Sequence, residues 1–256
     1  MTSISDNCPY KKCDGKGLIW YRDHKTNEEF MRICKCREDK SLDAKLQFAR
    51  IPQEYRQSRI NNFEINLYRT DEGKERAAIA KRVAANFVAN YPAMKEQGKG
   101  LYFYSYQKGS GKTRLSCSIA NALVKKYKAD VRFIRFVDLL NELKNSFSGN
   151  GDVNASELIE AVKNIEVLVI DDLGVEKVSE WVEEVVTSIL DHRLNQNLVT
   201  IITSNSTIEE LDKRYQQGRV RSRVEKMTFP VWMPEESIRS LIAQQENEEI
   251  QDILFR

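Results

Sequence analysis

The chain has 256 residues, enough for one large domain or for an ordinary domain with a small appendage, and enough to bury a sizeable core. Forty Lys and Arg against 38 Asp and Glu leave a net charge of +2, which excludes a general polyanion binder and confines any nucleic-acid contact to a local patch. No apolar run approaches the ~20 residues of a membrane helix, and the N-terminus MTSISDNCPYKKC lacks the basic-then-apolar layout of a signal peptide, so a cytoplasmic protein without membrane partners is expected.

Residues 1–45 are polar, short of helical periodicity, and carry four of the five cysteines. In a reducing compartment such clustering favours a metal over disulfides or free thiols. Cys8 and Cys13 form one close pair and Cys34 and Cys36 a second. The intervening LIWYRDHKTNEEFMRI reads as two strands around DHKTNE, a hairpin that would bring the pairs together around a tetrahedral zinc ion. So short a segment cannot build an adequate core, and metal would supply its folding energy. His24 lies in the expected turn and could replace a cysteine, although four thiolates already close the shell. Lys11, Lys12, Lys16 and Arg22 are offset by Asp14, Asp23, Glu28 and Glu29, a balance that favours a protein partner for this module over DNA.

Residues 46–70, LQFARIPQEYRQSRINNFEINLYRT, scatter aromatics among arginines and read as a connector that docks. Residues 71–256 alternate helices and strands. A helix with Ile79, Val83 and Phe87 on one face ends before Pro92, and LYFYS follows as a buried strand. A helix over 112–127, the strand VRFIRF and a helix through LLNELKNSF come next, then a helix opened by an Asn154-x-x-Glu157 cap. The apolar strand VLVI runs into Asp171-Asp172, followed by a helix to about Asn195 and the strand VTIITSN. Helices alternating with β-branched runs that have no polar face predict a parallel sheet covered on both sides, a three-layer α/β domain.

The buried strand runs directly into KGSGKTR. Gly109, Ser110, Gly111, Lys112 and Thr113 match the later part of the phosphate-binding pattern G-x-x-x-x-G-K-[ST]. Backbone N–H groups turned to one point, with a helix N-terminus behind them, hold phosphate. Lys112 would reach the β- and γ-phosphates and Thr113 would hold Mg²⁺. The pattern's first glycine is Tyr106 here, where a side chain is expected to carry a geometric cost. The loop alone also suits an ordinary glycine turn. The aspartate pair 60 residues beyond Lys112 favours nucleotide, because carboxylates at the C-terminal edge of a parallel strand are placed to hold Mg²⁺ and water.

GLYFYS…KGSGKTRL, IEVLVIDDLG, VTIITSN, GRVRSRV and ESIRS, in this order, resemble the AAA+ ATPases of the DnaC/DnaI helicase-loader group, which includes the IstB-like transposition ATPases. The resemblance covers about residues 48–245 and implies a P-loop AAA+ domain preceded by a small zinc-ribbon-like domain. It further implies an ATPase, slow and regulated by DNA or a partner, that delivers a hexameric replicative helicase onto single-stranded DNA and assembles with copies of itself on ATP. A transposition ATPase and a nonhydrolysing helicase-binding adaptor are the alternatives.

Carried over position by position, the resemblance gives Asp171 to the Mg²⁺ shell, Asp172 to orienting the attacking water, and Asn205 to sensing the γ-phosphate. Asn205 also suits a plain strand end before a Thr207-x-x-Glu210 helix start. Arg223 would be the arginine finger that completes a neighbouring subunit's site, with Arg219 and Arg221 close by, and Arg239 would be a second sensor acting in its own site. Phe147, Ser179 and Trp181 would line a groove for single-stranded DNA, although Trp181 also suits packing of a helix start against the sheet. Cys117 is expected in the core.

Overall fold

The computed structural model describes residues 8–23, 25–147 and 155–255; His24 and the Asn154 cap lie outside them. The chain divides between Phe48 and Ala49 into two compact units, each with its own core.

In the first unit, β1 (Leu18–Arg22) pairs antiparallel with β2 (Glu29–Ile33), Trp20 opposite Met31. The two strands lie on either side of DHKTNE, as expected. Lys35–Phe48, most of it in the stretch read as short of helical periodicity, forms helix α1. Its exposed polar surface, with Cys36 its one buried residue, leaves no apolar stripe for periodicity to detect.

The second unit opens with three single 3₁₀ turns between residues 53 and 67. Helix α2 (Asp71–Ala89) follows, capped by the Thr70 hydroxyl, which accepts the Gly73 N–H at 3.0 Å. Its buried face differs from the expected one. Ala77, Ala80 and Ala84 join Phe87 in the core, whereas Ile79 is exposed. Small side chains at this spacing let α2 lie close against the helix after the phosphate loop.

Helix α3 (Tyr91–Glu96) leads into β3 (Gly100–Tyr104), α4 (Lys112–Tyr127), β4 (Val131–Arg135), α5 (Phe136–Phe147), α6 (Ala155–Asn164), β5 (Val167–Leu173), α7 (Glu180–Asn195) and β6 (Val199–Ser204). After β6 come α8 (Leu211–Arg214), α9 (Arg219–Met227), β7 (Thr228–Trp232) and α10 (Ile238–Leu254). Thr207 and Glu210 exchange the two hydrogen bonds of a capping box ahead of α8.

Among the described residues, five strands form a parallel sheet in the order β4-β5-β6-β3-β7. Helix α4 covers one face, with α2 packed on it; α5, α6, α7 and α9 pack the other around Leu139, Val186, Leu190 and Val224. The domain is therefore the expected three-layer α/β arrangement. Strand β7 had no counterpart in the sequence reading. It lies at the sheet edge, where Pro230 removes no needed donor and Phe229 and Trp232 face solvent, so it lacks the apolar run of a central strand. No helix among the described residues is long and apolar enough to cross a membrane.

Strand β6 separates β3 from β5. The chain leaves β3 through α4 toward β4, while β6 connects across to β7 on the other side. The crevice at the C-terminal strand ends, where these connections diverge, is where an open parallel sheet exposes backbone and side chains to a ligand.

Candidate nucleotide site

A cavity of about 660 Å³ opens at that crevice, lined on one side by Lys108–Arg114 and on the others by Asp172, Asn205, Ile238 and Arg239. Gly109 and Gly111 have φ of +79° and +92°, a region that L side chains rarely adopt. A Cβ on Gly111 would come within 2.9 Å of Phe63 and of the Tyr68 hydroxyl, so glycine is also required by space. Helix α4 begins directly after this turn with no side-chain cap and no acidic residue in its first turn, leaving a bare positive helix end toward the cavity.

The Lys112 side chain is buried, and its Nζ donates to the carbonyls of Ser105 (3.2 Å) and Gln107 (3.0 Å) and to the Ser110 hydroxyl (3.3 Å). Burial lowers its pKa from the ordinary lysine value, opposed by the charges of Asp172, Glu235 and Asp171. Tyr106 carries no strain. It is 56 % exposed and is absent from the residues with positive φ, so the expected geometric cost of a side chain at the first glycine position does not arise.

Thr113 and the aspartate pair meet although β6 lies between their strands. The Thr113 hydroxyl donates to Asp171 Oδ1 at 2.9 Å, and the Thr203 hydroxyl on β6 donates to the same oxygen at 2.7 Å. Thr203 also accepts the Asp172 N–H at 2.9 Å, across an irregularity in the β5–β6 register. There Asp172 takes φ +57°, a conformation that aspartate tolerates better than most side chains, and its carboxylate turns to the cavity. Thr203 was not singled out from sequence; within VTIITSN it reads as one more strand residue.

Asp171 is buried, and burial first, then the neighbouring Asp172 charge, pushes its pKa up to about 6, while the two threonine hydroxyls pull the other way. A carboxyl whose folded pKa exceeds its unfolded value stabilises the fold below the unfolded pKa and loses that contribution as pH rises through about 6. In metal-free protein, Asp171→Asn is therefore expected to raise the melting temperature at pH 7.5 and to have much less effect at pH 4.5. Thermal unfolding in chelator at both pH values measures this; an equal effect at both would contradict the buried, charge-repelled aspartate.

The connector forms the wall behind the loop. Glu54, Tyr55 and Ser58 line the cavity, the Tyr68 hydroxyl donates to the Ser110 carbonyl at 2.8 Å, and Asn121 on α4 donates to the carbonyls of Tyr55 and Ser58. These contributions were legible only as a docking tendency.

Arg239 and Asn205 join the cavity; Arg223 does not. Its guanidinium pairs with Asp191 on α7, the second bond measuring 2.8 Å, and also donates to the Arg219 carbonyl. Arg221 is held between Asp212 and Glu225, whereas Arg219 is exposed and has no ion-pair partner among the described residues. Phe147 ends α5, its side chain being outside what the structure describes. The Ser179 hydroxyl caps α7, accepting the Val182 N–H at 3.4 Å. Trp181 is half-buried against the core, with the Lys144 ammonium 5.6 Å from its ring centre. The ends of α5 and α7 that carry these residues are thus adjacent. Cys117 is fully buried, as expected, and burial raises its thiol pKa.

In the first unit the sulfurs of Cys8, Cys13, Cys34 and Cys36 all lie within 4.8 Å of one another and are buried. Cys8 and Cys34 are 3.9 Å apart, Cys13 and Cys36 3.4 Å. Four thiolates at ~2.3 Å from a tetrahedral zinc ion stand about 3.8 Å from each other. The cluster therefore has the donor set and size for zinc.

Residues 28–224 match the family described as IstB-like ATP binding protein. The replicative helicase loader DnaI of Bacillus subtilis is 37% identical over 121 residues, which is 46% of this chain and 37% of that protein. The match thus spans well under half of that relative's length. Among solved structures, that of DnaI superposes with a TM-score of 0.58 at 30% identity, covering 72% of this chain and 95% of the other. That of the DnaC helicase loader gives 0.59 at 27%, covering 71% and 99%.

Proposed function

The chain belongs to the IstB-like ATP-binding family, and on that premise we propose that it is an ATP-dependent loader that delivers a hexameric replicative helicase onto single-stranded DNA. The observation that carries this reading is one cavity that gathers the phosphate loop, Asp172, Asn205 and Arg239, in a chain whose relatives are named helicase loaders.

The lining supports ATP binding with its phosphates on the Gly109–Thr113 loop, Tyr55 and Ser58 being available to the rest of the nucleotide. Lys112 exchanges the loop carbonyls for the β- and γ-phosphate oxygens. Thr113 and Asp171 would hold Mg²⁺, which when bound neutralises phosphate charge. Asp172 accepts a proton from the attacking water and orients it, Asn205 holds that water or the γ-phosphate, and Arg239 binds phosphate from the opposite wall. Arg223 serves a neighbouring copy's site, so assembly on ATP completes catalysis. Asp172 is one methylene shorter than glutamate and sits in a constrained backbone, which supports slow turnover stimulated by DNA or the helicase. Phe147, Ser179 and Trp181 mark a surface for single-stranded DNA, aromatic faces taking bases.

The zinc-binding helicase-interaction domain expected over residues 1–45 is extended to Phe48, because α1 runs through to that residue; the connector expected over 46–70 then begins at Ala49 and also serves as a wall of the nucleotide site, ahead of the ATPase over 71–256. Purified without chelator, the protein is expected to carry one zinc per chain on Cys8, Cys13, Cys34 and Cys36. Cys36→Ser should remove it and unfold the first unit while the ATPase domain stays folded, because metal supplies on the order of 10 kcal/mol to so small a core. Elemental analysis with two-transition thermal unfolding measures both; a zinc-free but folded first unit would reject the assignment.

The loader reading is tested by mixing the chain with the replicative helicase of the same cell and ATP. A stable complex that starts unwinding on circular single-stranded DNA is expected. No complex with helicase, together with ATP-dependent binding of duplex DNA and a transposase, would replace this reading with a transposition ATPase. A complex without ATP turnover would leave an adaptor.

A further inference from the structure

The missing first glycine of the phosphate loop raises a physical question that Tyr106 itself does not answer: what holds the turn out of β3. The backbone N–H groups of Tyr106 and Gln107 both point at one carboxylate. Glu235, just beyond the end of β7, accepts the Tyr106 N–H on Oε1 at 3.3 Å and the Gln107 N–H on Oε2 at 3.0 Å. Oε2 also lies 3.1 Å from the buried Ser105 hydroxyl, whose 2.9 Å bond to the Pro234 carbonyl ties the same segment to β3 a second time. Oε1 accepts the Trp232 indole N–H at 2.8 Å. That indole is fixed in turn, stacked on Tyr104 with ring centres 6.2 Å apart and covered by the Arg76 guanidinium at 3.3 Å.

The neighbouring residues extend the brace. Ile238 donates its N–H to the Gly109 carbonyl at 3.0 Å. Glu236 accepts the N–H groups of Arg69 (2.7 Å) and Thr70 (3.2 Å) and the Thr70 hydroxyl, at the residue that caps α2. Within a few residues the chain thus grips the loop at 106, 107 and 109 and the start of α2, then presents Arg239 to the cavity.

We propose that Glu235 is the positioning residue of the phosphate loop: its carboxylate, by accepting the N–H groups of Tyr106 and Gln107, fixes the turn that a first glycine would otherwise make. A glycine makes such a turn through conformations closed to other residues. Here ordinary backbone is held by charge-assisted hydrogen bonds from a partner more than a hundred residues away in sequence. Glu235 does not touch the phosphates; it acts through the loop. Because the same segment carries Arg239, the brace also links the loop's shape to the start of α10.

This inference rests on the nucleotide-site reading, and the experiment separates the two. Equilibrium binding of a fluorescent ATP analogue is measured for the wild type, Lys112→Ala, Glu235→Ala, Glu235→Gln, Tyr106→Gly and the Glu235→Ala/Tyr106→Gly double variant, each with its melting temperature. Loss of two charge-assisted hydrogen bonds predicts about tenfold weaker binding in Glu235→Ala. Glu235→Gln, which turns one acceptor oxygen into an NH2 facing an N–H group, should lose several-fold, and Tyr106→Gly in the Glu235→Ala background should recover part of the loss while changing little alone. A merely structural glutamate would lower the melting temperature without rescue of binding by Tyr106→Gly. Should Glu235→Ala not fold, Glu235→Gln decides in its place: its several-fold loss should shrink when Tyr106→Gly is added to the same chain, and an undiminished loss in that double variant would overturn the proposal. Wild-type affinity in Glu235→Ala overturns it while leaving the nucleotide site intact; no binding by wild type would overturn the site itself.

Discussion

Lys112→Ala is expected to weaken Mg²⁺-dependent ATP binding by roughly a hundredfold or more, since two effects act together. The substitution removes the one lysine charge buried at the loop, and it leaves the carbonyls of Ser105 and Gln107 without the ammonium that now satisfies them. In the wild type, ATP exchanges one set of acceptors for another around the same ammonium. In the variant, phosphate would meet bare carbonyl oxygens. Calorimetric titration with Mg²⁺–ATP measures the change, with the melting temperature of the ligand-free variant as the control for folding. An affinity equal to wild type would mean that this loop does not hold nucleotide.

The second large effect concerns Arg223. If its guanidinium serves a neighbour's γ-phosphate, Arg223→Ala should bind ATP almost normally and lose about 10³-fold in DNA-stimulated turnover. Within a single chain that guanidinium is held in a two-pronged pair with Asp191, which keeps its direction fixed but occupies both prongs. Serving the neighbour would therefore require exchanging Asp191 for phosphate, an exchange that opposes weak or misaligned assemblies. Mixing Arg223→Ala with Lys112→Ala is expected to restore part of the activity, because one interface in the mixture joins an intact loop to an intact arginine. A mixture that co-assembles yet stays as inactive as either parent rejects the assignment. Arg219 is then next to test, being exposed and unpaired among the described residues where Arg221 is tied to Asp212 and Glu225.

Sequence by itself determined the parts of this protein whose chemistry is local. The strand, glycine loop and helix of residues 100–127 are contiguous, so residue type and spacing suffice to place Lys112 and Thr113 at a helix N-terminus. Asp171 and Asp172 lie among the last residues of an apolar strand that closes at Leu173 and were legible for the same reason. The two cysteine pairs and the hairpin between them likewise form one short-range unit.

Tertiary structure alone decided what long-range pairing creates. Helix α1 was missed because its exposed surface carries no apolar stripe, and β7 because an edge strand with Pro230 carries no apolar run. Pairing of β6 with β5 is what brings Thr203 onto Asp171, and pairing of β7 with β3 is what brings Glu235 onto Tyr106 and Gln107. Phe63 and Tyr68 became the wall against Gly111 because the segment before α2 packs against α4 and the loop. A hydroxyl or carboxylate in a linear sequence has no partner until the sheet order assigns one, and here that order places Thr203 and Glu235 against the nucleotide machinery from opposite sides of β3.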